Sequence, residues 1–140
     1  MTDNRLIYRT AFIKKLEQLG IRYRVADKAV ICFDWAGTAP EHISYELHLT
    51  ESRATLTAVE LGSFTAETLA TGYQLCSILN SELQWVKFVI DRHNRLLCLI
   101  DTVLNSDDAV EEIMELLERI DRAVTENKLL LQAAQRQRAC

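Results

Sequence analysis

The residues best suited to chemistry in this sequence are its histidines and the acids near them. They are His42, His48 and His93, with Glu41, Glu46, Asp91 and Asp101. On a strand, His48 and Glu46 would point to the same face, where an acid–base pair or a metal site is geometrically possible. A solvated polar face explains both residues without a site, and we favour this interpretation. We therefore predict no catalytic residue and no metal ligand.

Asp101 and the two tryptophans raise the question of a ligand pocket. Asp101 interrupts an apolar run, and a buried carboxylate there would need a partner. We favour a structural hydrogen bond or salt bridge over catalysis. Trp35 and Trp85 could stack on a ligand, but a tryptophan on a strand usually packs in the core. The candidates for a pocket remain His48, Glu46, Trp85 and Asp101.

Sequence motifs of the common enzyme and nucleotide-binding classes are absent. The sequence contains no Gly-x-Gly-x-x-Gly, Walker, zincin or nucleophile-elbow pattern. The cysteines Cys32, Cys76, Cys98 and Cys140 form no Cys-x-x-Cys pair and no zinc-ligand spacing with histidine. We expect free thiols, no bound cofactor and no enzymatic activity.

Length, composition and charge favour a soluble single domain over residues 1–140. The 140 residues are 49% hydrophobic and 26% charged, which is enough for one sizeable core. No apolar run approaches the roughly 18 residues of a membrane-spanning helix. A net charge of −4 is a poor match to nucleic acid. Basic residues within the first twenty positions exclude a signal-peptide pattern, so we expect a cytoplasmic protein without membrane or nucleic-acid partners.

The hydrophobic pattern predicts an α+β fold with the element order α-β-β-β-β-α-β-β-α. The predicted strands cover residues 21–25, 29–35, 43–50, 53–61, 84–90 and 95–103. The predicted helices cover residues 4–19, 63–80 and 107–138. The last strand is apolar on both faces, which indicates a central position. We expect an antiparallel sheet of five to six strands with helices packed against it.

The last helix carries a heptad-like apolar seam that Asn127 interrupts once. At 1.5 Å per residue a helix over residues 107–136 alone is about 45 Å long, so part of it should project beyond the body of the domain. A projecting apolar end is costly in water, which favours a homodimer. The alternative is a break near Asn127 that lets the end fold back. The predicted interface residues are Val124, Asn127, Leu130, Leu131 and Ala134.

The predicted order of helices and strands, together with one stretch of sequence, resembles that of a known family. Leu79-Asn80 ends the middle helix, and Trp85-Val-Lys-Phe-Val-Ile-Asp91, a short polar turn and residues 96–101 follow. This order resembles the YbjN family, whose fold is similar to that of type III secretion chaperones, over about residues 4–125. The resemblance implies an α+β domain with an antiparallel sheet, often dimeric, with a binding role and no catalytic residues to carry over. The long final helix departs from the family pattern, so no dimer geometry is transferred.

Our leading hypothesis is a cytoplasmic, homodimeric protein-binding module with a chaperone-like or regulatory role. It would hold an extended or helical segment of a protein or peptide client on a sheet edge or in an apolar groove. Two alternatives stay open. One is a structural subunit of a larger assembly, and the other is a small-molecule sensor with a pocket between the sheet and its helices.

Overall fold

The computed structural model describes residues 5–27, 30–36, 42–104 and 108–136. Within these ranges the helices are α1 (Arg5–Gln18), α2 (Leu69–Glu82), α3 (Ala109–Glu126) and α4 (Lys128–Arg136). The strands are β1 (Tyr23–Asp27), β2 (Val30–Trp35), β3 (Ile43–Leu49), β4 (Arg53–Val59), β5 (Lys87–Ile90) and β6 (Leu96–Val103). The predicted α+β class and element order are confirmed, with the last helical segment divided into α3 and α4.

The described strands form one antiparallel sheet in the order β1-β2-β3-β4-β6-β5. Strands β1 to β4 pair with their neighbours in sequence, and α2 then carries the chain to β5 on the far side of β6. The central position predicted for β6 is confirmed, because it pairs with both β4 and β5. This topology leaves β1 and β5 as the two edges of the sheet.

Strict alternation along the strands gives the sheet one buried and one open face. The buried residues of β3 are Ile43, Tyr45, Leu47 and Leu49, and its remaining side chains point to the opposite face. On the inner face the Phe12 ring of α1 meets Phe33 edge to face at 5.4 Å, and Phe33 stacks on Tyr45 at 5.6 Å. Helix α3 packs against β4 and β6 on this inner face as well. The core therefore lies between the inner face and the helices.

The C-terminal segment differs from an unbroken helix over residues 107–138. Helix α3 ends at Glu126 and α4 begins at Lys128, while the Asn127 side chain donates a hydrogen bond to the Ala123 carbonyl at 2.8 Å. An asparagine that bonds the preceding turn competes with the helix and favours its end. Helix α4 packs against α2. Residues 107, 137 and 138 of the predicted helix lie outside the described ranges.

Gln135 attaches α4 to the loop that follows β4. Its side-chain amide donates to the Leu61 carbonyl at 3.2 Å and accepts from the Ser63 N–H at 3.3 Å. Gly62 lies between these two groups with φ +129°, and a Cβ there would come within 1.9 Å of the Gln135 Oε1 atom. The Gln135 side chain is flexible and could shift, so it is the positive φ at position 62 that favours glycine there.

Candidate functional site

The predicted pocket residues on the sheet lie on its open, outer face. His48 Nε2 is 3.2 Å from Glu46 Oε2, and both side chains are about half exposed. Asp101 accepts hydrogen bonds from Arg53 at 2.6 Å and from Thr55 at 3.1 Å. The hydrogen bond from Arg53 is the main reason why the pKa of Asp101 lies below its ordinary value. Asp101 thus has the structural partner that we favoured, although it is exposed rather than buried.

Trp85 is not a core residue, contrary to the usual packing of tryptophan on a strand. Strand β5 begins at Lys87, so Trp85 precedes the strand and 63% of its surface is exposed. The Arg119 guanidinium of α3 lies 4.9 Å from the centroid of its ring, which is cation–π geometry. Trp85 therefore contacts the helical layer on the other side of the sheet from His48 and Asp101. The four pocket candidates do not share one pocket.

The remaining acids and histidines have separate positions. Asp91 Oδ1 accepts backbone N–H bonds from His93 and Arg95, both at 2.9 Å, as expected for a turn residue. The bond from the Arg95 backbone is the largest cause of the lowered pKa of Asp91. His42 directly precedes β3 and lines a cavity. Glu41 and Cys140 lie outside the described residues.

The predicted interface residues divide into a buried and an exposed group. Val124, Leu131 and Ala134 are buried within the chain itself, at 4 to 7% exposure. Asn127 is half-buried. Leu130 is 54% exposed and the neighbouring Leu129 is 81% exposed. The large exposed apolar side chains of α4 are therefore Leu129 and Leu130.

The β5 edge of the sheet is closed by a side chain that the sequence did not single out for this role. Asn80 of α2 accepts the Phe88 backbone N–H at 2.7 Å and donates to the Phe88 carbonyl at 2.9 Å. The amide group thus replaces a neighbouring strand at this position. Sequence analysis identified Asn80 only as the residue near the end of a helix, because nothing local indicates that it faces a strand eight residues later.

The β1 edge is open in comparison. Within the described part of the chain, β1 pairs along one side only, with β2, and four of its five residues are exposed. Arg24 pairs with Cys32 and lies on the outer face, whereas Val25 pairs with the buried Ile31 and lies on the inner face. A shallow groove of about 450 Å³ runs from β1 across the outer face. Its walls carry Arg24 near the edge and Glu46 farther in.

A second concavity lies where the break at Asn127 brings α4 over the ends of β3 and β4. This cavity has a volume of about 170 Å³ and is lined by both polar and apolar side chains. One of its polar atoms, Thr125 Oγ1, is buried without a hydrogen-bond partner in the structure. No sequence motif marks it, because its walls come from segments about 80 residues apart.

Neither a metal-binding cluster nor a membrane-spanning helix is found in the part of the chain that the structure describes. In the four described ranges, no group of three or more His, Cys, Asp or Glu side chains is placed to hold a metal ion. Among the helices described, none combines the length and the apolar character that crossing a membrane requires.

Comparison with known proteins identifies the fold. The chain is similar to YbjN from E. coli, a proposed transcription regulator, with a TM-score of 0.68 and 12% identity over 91% of this chain and 93% of that one. It is also similar to a chain of the heterodimeric complex ExoU-SpcU from the type III secretion system of Pseudomonas aeruginosa. There the TM-score is 0.56 and the identity 18%, over 87% of this chain and 95% of the other.

The chain therefore has a YbjN-like fold, as the resemblance implied. At these identities the likeness concerns the fold alone. The sequence matches no protein-family model and no curated protein.

Proposed function

We propose that this chain is a protein-binding module without catalytic activity, chaperone-like or regulatory in role, that holds an extended segment of a client along β1. The observation that carries the proposal is the difference between the two sheet edges. An unpaired edge strand offers a row of backbone donors and acceptors to another chain. Asn80 blocks this at β5, whereas β1 has no such cover in the described residues. A structural neighbour that belongs to a heterodimeric complex supports a protein partner.

The side chains of β1 define the kind of segment that fits. A strand added beside β1 places alternate side chains on the outer and inner faces of the sheet. On the outer face the exposed Arg24 guanidinium favours a neighbouring carboxylate. On the inner face Val25, with 43% of its surface exposed, favours an apolar neighbour. The client segment is therefore an extended stretch in which acidic and apolar residues alternate.

A peptide-display selection tests this proposal without a known client. Random peptides of about ten residues, which is enough to span a strand, are selected against the immobilised full chain. We expect enrichment of alternating acidic and apolar residues. Hydrogen exchange with an enriched peptide bound should slow the amides of β1 and leave those of β5 unchanged. Arg24→Glu and Val25→Glu should each weaken peptide binding.

Lys87→Glu is the matched control, since Lys87 is an exposed residue on the other edge strand. It should leave the affinity for the selected peptides unchanged. The proposal fails if no peptide pattern is enriched, if the bound peptide protects amides elsewhere, or if the Lys87 variant loses as much affinity as the β1 variants.

We further propose that the module is a homodimer and that Leu129 and Leu130 of α4 form its contact. The side chains of Leu129 and Leu130 are 81% and 54% exposed, which is costly in water for apolar groups. Contact with a second copy of the chain removes them from water. The buried residues Val124, Leu131 and Ala134 would support α4 from within the subunit. The interface predicted from sequence thus divides into contact and supporting residues.

A cytoplasmic location is part of the same proposal. Cys76 and Cys98 are free thiols in the core, which is usual for proteins of reducing compartments. Burial raises the pKa of both, to about 12 for Cys98, so neither thiol is suited to a nucleophilic role. These features support a binding role rather than catalysis.

A further inference from the structure

One exposed stripe of side chains runs from the end of α3 along α4. Its members are Glu126, Leu129, Ala133 and Arg136, all of which are exposed. Their spacing of three, four and three residues places them on one side of a helix. The stripe therefore has an apolar middle with an acid at one end and a base at the other.

The break at Asn127 leaves the two helices in phase, so Glu126 stays in line with the exposed side of α4. The Asn127 carbonyl accepts the Leu131 N–H at 2.9 Å, which is the hydrogen bond expected within a helix. The buried side chains Val124, Leu131 and Ala134 continue across the break with the spacing of one amphipathic helix. The exposed stripe lies opposite these buried residues.

The order of charges along the stripe makes it complementary to a second copy of itself in the antiparallel direction. Two such helices centred on position 131 place Leu129 opposite Ala133 of the second copy. The same alignment places Glu126 opposite Arg136 of the second copy, and symmetry makes each of these contacts twice. Opposite charges at the rim of a contact favour this alignment.

Other alignments bring like charges together. A parallel pair would place Glu126 opposite Glu126 of the second copy, and Arg136 opposite its equivalent. An antiparallel pair centred on Leu129 would place Arg122 opposite Arg136. The alignment centred on position 131 avoids both, and the small side chain of Ala133 lets the two helices approach closely.

We infer that two copies of the chain pair through antiparallel α4 helices, with Leu129 packed on Ala133 and reciprocal ion pairs between Glu126 and Arg136. Leu130 flanks this contact and is covered by the same approach. Burial of the leucines supplies most of the attraction, and the ion pairs determine the direction. This geometry rests on the proposed homodimer, but it is independent of the client site on β1.

Sedimentation equilibrium of the full chain, under reducing conditions, tests the ion pairs. Glu126→Lys and Arg136→Glu should each weaken the dimer about tenfold or more, since each places like charges opposite each other twice. The two changes combined restore opposite charges, and the affinity should return to within about threefold of the unmodified chain. In a parallel dimer neither single change would weaken the affinity, because like charges would already face each other.

Glu118→Lys and Lys14→Glu are the matched controls. Both make the same charge changes at exposed positions. Glu118 lies on the same side of α3 about two turns before Glu126, where the antiparallel alignment offers no opposite residue. Both variants should dimerise as the unmodified chain does, and circular dichroism reports whether each variant is folded.

Disulfide formation tests the direction by a second route. Leu129→Cys and Ala133→Cys are each made in a Cys140→Ser background, and the background alone serves as the blank. On mild oxidation of an equimolar mixture, we expect dimers that join one chain of each variant, identified by mass spectrometry. Each variant alone should cross-link much less, because a disulfide requires Cα atoms within about 7 Å.

The possible outcomes separate this geometry from the dimer itself. If the dimer depends on Leu129 and Leu130 but the charge reversals behave as the controls do, or if either cysteine variant cross-links with itself as well as in the mixture, the antiparallel pairing is wrong and the homodimer stands. If the unmodified chain is a monomer, or if it dimerises without these leucines, both are wrong.

Discussion

The side-chain amide of Asn80 makes two hydrogen bonds with the backbone of Phe88, at 2.7 and 2.9 Å, in the way that an adjacent strand would. It ties α2 to the edge strand β5 and occupies backbone groups that another chain could otherwise pair with. The exposed β1 has no equivalent contact in the described residues. This difference between the two edge strands is the reason why we propose β1 as the binding edge.

Replacing Asn80 should therefore affect stability and self-association. Asn80→Ala leaves the partly buried N–H and carbonyl of Phe88 without partners, and we expect a loss of about 1–3 kcal/mol in the free energy of unfolding. Urea unfolding measures it. Gln74→Ala, at an exposed position on the same helix, should change stability by less than about 0.5 kcal/mol. If the Asn80 variant is as stable as the Gln74 variant, the two hydrogen bonds to Phe88 do not stabilise the fold.

The opened β5 edge gives a second readout for the same change. Unpaired edge strands promote association between chains. We expect Asn80→Ala to form larger species at high concentration in light scattering, while the Gln74 control behaves as the unmodified protein. Equal solution mass for both variants would show that α2 covers the edge without the amide.

Gly72 should not tolerate alanine, although it lies inside α2. A Cβ at this position would come within 2.7 Å of the ring of Phe64, which is itself buried. Glycine to alanine in a helix normally gains up to about 1 kcal/mol, whereas overpacking costs about 1–3 kcal/mol. We expect a net loss of stability for Gly72→Ala in thermal or urea unfolding.

A double-mutant cycle checks the cause of that loss. If the ring of Phe64 is responsible, Gly72→Ala should cost less in a Phe64→Leu background than in the unmodified chain. Additive effects of the two substitutions would assign the loss to another contact.

The Asp101–Arg53 pair predicts a specific pH dependence. The pKa of Asp101 is lowered in the folded state, so its contribution is present above the ordinary pKa of 3.8 and is lost as the pH falls through the folded value. For Asp101→Asn we expect a loss of at most about 1 kcal/mol at neutral pH, because the pair is exposed. Below about pH 4 the two stability curves should converge.

Urea unfolding at several pH values measures this convergence. Glu115→Gln, an exposed acid on α3, is the control and should run parallel to the unmodified protein. A constant difference between Asp101→Asn and the unmodified protein at every pH would show that the ion pair contributes nothing to stability.

The dimer prediction calls for point substitutions rather than truncation. Removing α4 would also remove the buried Leu131 and Ala134, so loss of a dimer would not identify the contact. We expect Leu129→Ser with Leu130→Ser to convert a dimer into a folded monomer in light scattering under reducing conditions. Leu6→Ser, which changes an exposed leucine of α1, should remain a dimer. A dimer that persists in the double variant would place the contact elsewhere.

Much of the fold follows from local patterns in the sequence. The alternation of Ile43, Tyr45, Leu47 and Leu49 predicts a strand with one wet face because side chains of a strand alternate between faces. The apolar character of both faces of residues 95–103 predicts the central position of β6. These patterns are local consequences of where each residue must be buried, so they are readable without the fold.

The sites depend on contacts between distant segments, which local patterns do not encode. Trp85 precedes its strand instead of packing in the core, and the partners of Asp101 lie on a strand 46 to 48 residues earlier in the chain. The closure of β5 by Asn80 likewise depends on the packing of α2 beside that strand.

The sequence by itself determined the element order, the amphipathic faces and the central β6, because hydrophobic periodicity reflects burial directly. Only the tertiary structure decided which sheet edge is closed, how α4 packs against α2 after the break at Asn127, and where a cavity forms between α4 and the ends of β3 and β4. Those outcomes depend on contacts between side chains that are far apart in the chain. Several packing arrangements are compatible with the same hydrophobic pattern, and a few hydrogen bonds determine which of them is the most stable.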